Sequence, residues 1–269
     1  MLLSTCLALL LAAQSPDSIP RYDSLTVGSH ALGETRRINV HVPREYNMSG
    51  STRFPVLYMP DGGIDEDFPH VVKTVDSLIA LAQIRPVIVV GVPNTERRRD
   101  LTGPTTVHSD SAIAARVGGS AAFRDFFRAE LIPEIDRRYR TTDERSIIGE
   151  SLAGLFIVET FLREPNLFDH YIAFDPSLWW NKGALVDSAP AMLRGAAYVS
   201  PTHRSARRMP QRTIYVAASR DDIDNQTYRL AAALRSSGGF AWTYSSHSDL
   251  THATIFRALA PAGLITLLR

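Results

Sequence analysis

Short apolar runs alternate with longer amphipathic stretches from about residue 24 to the C-terminus. The first two runs, Ser24–Ala31 and Arg37–Pro43, alternate apolar and polar side chains and predict an antiparallel pair of strands. Two later runs, Pro55–Met59 and Val87–Val92, are apolar nearly throughout, as is typical of strands that are buried on both faces of a sheet. The other predicted strands are Ser146–Gly149, Tyr171–Phe174, Thr213–Ala218 and Phe240–Ser245.

Amphipathic helices separate the later strands. The clearest is Ser120–Tyr139, where apolar side chains recur every three or four residues. The other predicted helices are Val71–Gln83, Leu152–Arg163, Ala184–Leu193, Thr227–Arg235 and His252–Leu268. Strands and helices that alternate in this way form βαβ units around a mostly parallel sheet. We therefore predict an α/β fold in a single domain over residues 15–269, with helices on both faces of the sheet.

The start of the chain differs from the rest in composition. Residues 1–13 (MLLSTCLALLLAA) carry no charge and end in small side chains, which predicts a secretory signal peptide and an exported protein, periplasmic or secreted. This run is too short to span a bilayer as a mature helix. It contains Cys6, the single cysteine of the chain, so the mature protein is expected to lack disulfides and a thiol nucleophile.

The net charge of the chain indicates which classes of binding partner are expected. The 269 residues include 29 basic and 28 acidic side chains, for a net charge of +1. Nonspecific binding to nucleic acid or to a membrane surface needs a sustained basic field, which this balance does not supply. We therefore expect no nucleic acid partner, and no membrane contact once the signal peptide is removed.

The sharpest signal for chemistry is a serine at the junction of a predicted strand and helix, Ser151 in the run Gly149–Gly154 (GESLAG). A nucleophile elbow needs small residues two positions before and after the serine, because the turn is tight. Gly149 and Ala153 satisfy both positions. An ordinary turn with Ser151 as the helix N-cap is the alternative.

Chain order favours the catalytic interpretation. Serine hydrolases of the α/β type place an acid after a later strand and a histidine after the last strand. Here Asp221 and Asp222 follow the predicted strand 213–218, and His247 and His252 follow the predicted strand 240–245. His252 is preferred because it lies where the last loop joins the last helix, whereas His247 lies nearer the strand and could line the pocket. The imidazole would take the serine proton, and the carboxylate would hold the imidazole in the productive tautomer. We predict Ser151 as nucleophile, His252 as base and Asp221 as acid, with Asp222 as an alternative acid.

An ester-cleaving site also needs two backbone amides that stabilise the oxyanion. The amide of Leu152, directly after the nucleophile, is one candidate. The other is expected in Asp61–Gly63, which follows an early buried strand, and Gly63 is preferred there. A simple tight turn is the alternative explanation of these glycines.

Five blocks in this order resemble a known family. They are Pro55–Gly62 (PVLYMPDG), Val89–Pro93 with Arg99–Thr102, Gly149–Phe156 (GESLAGLF), Phe168–Trp180 (FDHYIAFDPSLWW) and Leu250–His252. The chain is similar to the esterase D-like group of α/β hydrolases, and within it to the branch of siderophore (enterobactin-type trilactone) esterases. The resemblance implies an α/β-hydrolase fold, and it implies the same nucleophile, base and oxyanion donors. It also implies an acid after the strand that ends at Ala218, which supports Asp221.

Some features depart from the family or are less specific. Asp175 stands where the family has a small residue such as serine, and this carboxylate could replace Asp221 as the acid or repel an anionic substrate. Trp179 and Trp180 match a tryptophan pair of the family and could form a wall for an aromatic acyl group, with core packing as the alternative. The run 97–99 (RRR), Arg99 included, could bind an acidic substrate such as a catecholate, with a solvated charge run as the alternative.

Together these features predict a serine esterase that cleaves carboxylic esters without a metal or organic cofactor. Its expected substrate is a small-molecule ester, with a siderophore trilactone first and an acyl, feruloyl or carbohydrate ester next. The alternative from another class is a catalytically silent ligand-binding protein on the same fold. The oligomeric state is not predicted.

Overall fold

A computed structural model describes residues 21–195 and 212–269, so the predicted signal peptide 1–13 lies outside the described residues. The strands of the described part are β1 (Asp23–Ser29), β2 (Glu34–His41), β3 (Phe54–Pro60), β4 (Ile88–Val92), β5 (Thr141–Glu150), β6 (His170–Phe174), β7 (Thr213–Ser219) and β8 (Ala241–His247). They form one sheet in the order β1-β2-β4-β3-β5-β6-β7-β8. β2 is antiparallel to its neighbours β1 and β4, and the remaining neighbours are parallel.

Helices connect the parallel strands and cover both faces of the sheet. The described α-helices are α1 (Phe68–Ala80), α2 (Arg97–Leu101), α3 (His108–Ser111), α4 (Ser120–Phe126), α5 (Ile132–Arg138), α6 (Leu152–Arg163), α7 (Ala184–Gly195), α8 (Gln226–Arg235) and α9 (His252–Leu268). None of these helices is long and apolar enough to cross a membrane.

The predicted helix Ser120–Tyr139 is interrupted in the structure. Between α4 and α5 the segment Phe127–Leu131 is a π-helix, in which the amide of Ile132 bonds the carbonyl of Phe127. Pro133 follows directly and has no amide hydrogen to donate to the helix ladder. The apolar face continues through this irregular turn, so the periodicity of the sequence does not reveal it.

β5 is also longer than predicted. Its first half, 141–145 (TTDER), is polar and only partly buried. A search for apolar runs therefore does not identify this half as a strand. The second half, Ser146–Gly149, is fully buried and was the part that the pattern identified.

Side chains on successive strand positions enter two separate cores. In β3, Val56 and Tyr58 pack against the core that includes α4 to α8. Leu57 and Met59 point to the opposite face, against α1 and α9. This burial on both faces confirms the predicted α/β-hydrolase fold, with a mostly parallel sheet between two helical layers. The loops after the parallel strands meet at the carboxyl edge of the sheet, where ligands of such folds bind.

Candidate active site

Ser151 lies at the corner between β5 and α6, with backbone angles of φ 59° and ψ −120°. A positive φ is costly for a non-glycine residue and persists only where the surrounding structure imposes it. Here the neighbours are small by necessity, because a Cβ on Gly149 would lie 2.7 Å from the Cβ of Ala153. The Ser151 hydroxyl makes no capping hydrogen bond to α6. This geometry is a nucleophile elbow and not an ordinary N-cap, whose backbone is extended.

The histidine predicted as base lies against this serine. His252 is the first residue of α9, whose start is fixed by a capping box between Thr251 and Thr254. Its Nε2 is 3.1 Å from the Oγ of Ser151. In the tautomer that these contacts favour, Nε2 accepts a hydrogen bond from the hydroxyl of Ser151, and Nδ1 carries the hydrogen that is donated to Asp175.

The carboxylate at the other side of the imidazole is Asp175, not Asp221. Nδ1 of His252 lies 2.7 Å from Oδ2 of Asp175. Asp175 follows β6, which neighbours β5, and its own amide donates to the carbonyl of Ala217. Both carboxylate oxygens accept hydrogen bonds from Ser219, at 2.9 Å from the backbone N–H and 2.8 Å from the hydroxyl. Asp175, which departs from the family pattern in the sequence, is therefore the carboxylate that contacts the predicted base, His252.

The acid preferred from the sequence has another position. Asp221 accepts the backbone N–H of His252 through Oδ2, at 2.8 Å, and does not contact the imidazole. Asp222 accepts the backbone N–H and the hydroxyl of Thr227 at the start of α8. Both residues follow β7, one strand farther from the elbow than β6, so their carboxylates reach the ends of helices α9 and α8.

Hydrogen bonds and charges set the protonation of this group. Burial alone would raise the pKa of Asp175, but hydrogen bonds from His252 and Ser219 outweigh burial and hold the pKa below its ordinary value. The Asp175 hydrogen bond is the main cause of a raised pKa at His252, opposed by burial and reinforced by Glu150. Asp175 is therefore ionised where His252 titrates, as an orienting acid must be.

Glu150, directly before Ser151, was not singled out in the sequence. Its Oε1 is buried and has no hydrogen-bond partner among the described residues. Burial raises the pKa of Glu150 to about 7, with the charges of Asp67, Asp175 and Asp61 acting in the same direction and His252 opposing them. Its position in the elbow motif was the available signal, although only the tertiary structure shows what surrounds it.

A second hydroxyl lies beside that of Ser151. Ser177 is buried, and its Oγ is 3.3 Å from that of Ser151. Its backbone N–H donates to the carbonyl of Ser151 at 2.9 Å, which ties the loop after β6 to the elbow. The sequence contained Ser177 within the run 168–180 that resembles the family, but nothing in the pattern indicated this contact.

The two predicted oxyanion amides differ in their surroundings. The N–H of Leu152 is the first of α6, where a helix has no internal acceptor for it. The N–H of Gly63 donates to Oε2 of Glu66 at 2.7 Å, and Glu66 donates its own N–H to the carbonyl of Gly63. Asn94 holds the other carboxylate oxygen of Glu66 at 2.8 Å. The Gly63 amide is therefore engaged within its own turn.

The predicted substrate-binding residues separate in the structure. Trp179 lines a cavity of about 300 Å³ together with Ser151 and His252. Trp180 is buried, and its Nε1 donates to the carbonyl of Gly103 at 2.8 Å. It therefore packs in the core, which was the alternative to contact with the substrate. Arg99 does not line this cavity, because its guanidinium pairs with Glu34 and Asp100. No group of three or more His, Cys, Asp or Glu side chains in the described ranges could hold a metal ion.

Comparison with known proteins identifies the family. The Esterase family model matches residues 29–247, most of the chain. The protein therefore belongs to the Esterase family, and the family resemblance expected from the sequence is confirmed.

The chain is also similar to individual proteins. Ferri-bacillibactin esterase BesA of Bacillus subtilis is 28% identical over 163 residues, 55% of this chain and 56% of that protein. A siderophore enterobactin esterase of Emericella nidulans is 30% identical over 132 residues, 44% of each protein. The chain spans about half the length of these curated relatives. An IroE-like serine hydrolase structure from Shewanella oneidensis has a TM-score of 0.80 at 24% identity, covering 92% of this chain and 80% of that one, a likeness of fold.

Proposed function

We propose that this protein hydrolyses carboxylic esters through an acyl-enzyme on Ser151, and that siderophore esters are its substrates. The observation that carries the proposal is the hydrogen-bonded path from Ser151 through His252 to Asp175, with contacts of 3.1 and 2.7 Å. Membership of the Esterase family supports the reaction class. The siderophore esterases among the relatives support the substrate class.

The geometry supports the following sequence of steps. His252 takes the hydroxyl proton through Nε2 while Oγ of Ser151 attacks the carbonyl carbon of the ester. The bond from that carbon to the alcohol oxygen breaks, and His252 returns the proton to the departing alcohol. Water then attacks the acyl-enzyme with His252 as base, which releases the acid and restores the hydroxyl of Ser151. Asp175 stays ionised throughout and stabilises the imidazolium that forms in both steps.

Two backbone N–H groups are proposed to stabilise the oxyanion, and they differ in whether they already have an acceptor. Leu152, at the first turn of α6, offers its N–H at the positive end of the helix dipole. Gly63 offers its N–H only after the carboxylate of Glu66 has moved away from it. A substrate carbonyl that displaces Glu66 would replace one acceptor at this amide by another.

A fluorophosphonate probe tests the proposal directly. We expect the wild-type protein to be labelled, and mass spectrometry of the digested protein to place the adduct on Ser151 and not on the neighbouring Ser177. Ser151→Ala is expected to abolish labelling and turnover of p-nitrophenyl esters. Activation by the base is what makes a serine react with this probe.

Ser77→Ala is the control variant, because Ser77 is exposed on α1 and only bonds the carbonyl of Lys73. It should be labelled at the wild-type rate. An adduct outside Ser151, or turnover retained in Ser151→Ala, would contradict the proposed nucleophile. A protein that is neither labelled nor active on any ester would instead favour the silent binding protein.

Glu150→Gln is expected to move the acid limb of the kcat/KM profile to lower pH, by about half a pH unit. Ionised Glu150 favours the charged imidazole and so raises the pKa of His252, which must be neutral to act as base. An amide cannot ionise, so the pKa of His252 falls and the neutral base persists to lower pH. Initial rates at low substrate concentration between pH 5 and 9 measure the midpoint.

The matched control for this profile is Glu45→Gln. Glu45 also has a buried carboxylate oxygen without a partner in the described structure, but it lies in the turn Arg44–Asn47, away from the site. We expect its profile to match the wild type. A midpoint that stays in place, or rises, in Glu150→Gln would show that Glu150 does not act on His252.

A further inference from the structure

The cavity beside Ser151 is lined by more acidic than basic side chains. Asp175, Asp221 and Asp222 line it, and His252 is its only titratable base among the described residues. The remaining wall is largely apolar, formed by Pro176, Leu178, Trp179 and Ile223. A substrate that enters this cavity therefore meets apolar surface and carboxylates.

Two of these carboxylates are not used to orient the imidazole. The side chain of Asp221 is 47% exposed, and the nearest guanidinium, Nε of Arg220, is 3.9 Å from its Oδ1. That separation is too long for a hydrogen bond. Asp222 accepts hydrogen bonds from the backbone N–H and the hydroxyl of Thr227, which are neutral donors.

The arginines suggested by the sequence do not offset this charge. Arg97 makes a bidentate pair with Asp61, at 2.7 and 2.8 Å. Arg99 is committed to Glu34 and Asp100, and Arg257 lies 4.0 Å from Asp67. No arginine or lysine from residues 21–195 and 212–269 lines the cavity. The expectation that the run 97–99 binds an acidic substrate has no support from the contacts of Arg97 and Arg99, and Arg98, which is exposed on α2, does not line the cavity.

We propose that this pocket selects uncharged or cationic esters over anionic ones, and that Asp221 and Asp222 set this selectivity. The inference rests on the proposed ester hydrolysis, and it narrows the proposed siderophore esters to those that present no anionic group to this cavity. An anionic group held near two carboxylates in a partly desolvated cavity is repelled, whereas a cationic group is attracted. The apolar wall around Trp179 and Ile223 would hold the uncharged part of such an ester.

A matched series of p-nitrophenyl esters tests the selectivity. The acyl chains have equal length and end in a methyl, a carboxylate or a trimethylammonium group. At low ionic strength we expect kcat/KM for the anionic ester to be about tenfold or more below that of the uncharged ester, with the cationic ester at least equal to the uncharged one. Added salt should reduce these differences, since the cavity is open to solvent.

The double variant Asp221→Asn, Asp222→Asn should bring the anionic and uncharged esters to within about threefold of each other. Both esters depend on the same catalytic groups, so an effect of the substitutions on those groups cancels in the ratio of the two kcat/KM values. Asp125→Asn is the control, because Asp125 is similarly exposed, at 49%, but lies on α4 and not at the cavity. It should keep the wild-type ratio.

Three outcomes overturn the selectivity: equal or faster turnover of the anionic ester, a ratio unaffected by salt, or a ratio retained in the double variant. The salt series uses only the wild-type protein, so it decides the question even if the double variant fails to fold. Absence of turnover for all three esters, together with absence of probe labelling, contradicts the proposed hydrolase itself. The two failures are therefore distinguishable.

Discussion

Asp175→Asn is expected to lower kcat/KM by about 10³–10⁴-fold, whereas Asp221→Asn should lower it by less than about tenfold. Of these two aspartates, Asp175 is the one that contacts Nδ1 of His252, and an amide at this position cannot stabilise the imidazolium or hold the productive tautomer. Asp221 accepts a backbone N–H of the same residue, a contact that an asparagine oxygen can keep. Turnover of an uncharged p-nitrophenyl ester measures both effects.

The comparison of these two variants separates two hypotheses about the acid. The family resemblance places the acid after β7, and the structure places a carboxylate after β6 against the imidazole. A greater loss in Asp221→Asn than in Asp175→Asn would restore the acid after β7. Small losses in both would indicate that Ser151 and His252 work as a dyad. Circular dichroism of each variant checks that the fold is retained.

Gly62→Ala is expected to lower the stability by about 2–3 kcal/mol and the melting temperature by about 5–10 °C. A Cβ at this position would lie 2.2 Å from the backbone nitrogen of Val92 and 2.4 Å from Cα of Gly91. These are backbone atoms of β4 and cannot rotate away. The loop that carries Gly63 would have to move, which would also weaken the Gly62 amide hydrogen bond to Val92.

Gly28→Ala is the matched control for this change. Gly28 lies in β1, and a Cβ there would meet no atom within 4 Å. Alanine also restricts the unfolded chain more than glycine does, so the control should melt at or slightly above the wild-type temperature. Thermal unfolding followed by circular dichroism compares the three proteins. Equal melting temperatures for Gly62→Ala and the wild type would mean that the loop at Gly62 does not approach β4 as closely as described.

Much of the fold follows from local pattern. Continuous apolar runs identified the buried strands, because a strand covered by helices on both sides has no polar face. The misassigned parts are those in which the local pattern and the backbone differ. The π-turn at Phe127–Leu131 keeps the apolar face of a helix, and the polar start of β5 pairs within the sheet although its side chains are not apolar.

The candidate site was predictable in part. The elbow around Ser151 has a local signature, since its tight turn restricts residues next to it in the chain. The chain order indicated His252, which the structure places 3.1 Å from the serine. The choice between Asp175 and Asp221 had no local signature, because both residues follow a strand at the same edge of the sheet.

The sequence by itself therefore determined the family, the alternation of strands and helices, and the serine at the elbow, all of which depend on neighbours along the chain. Tertiary structure alone decided that Asp175 contacts His252 and that Trp180 is core. It also decided that Arg97 is paired with Asp61 and does not line the cavity. These outcomes depend on the distances between separate loops, and such distances follow from strand order and packing, which the local pattern does not encode.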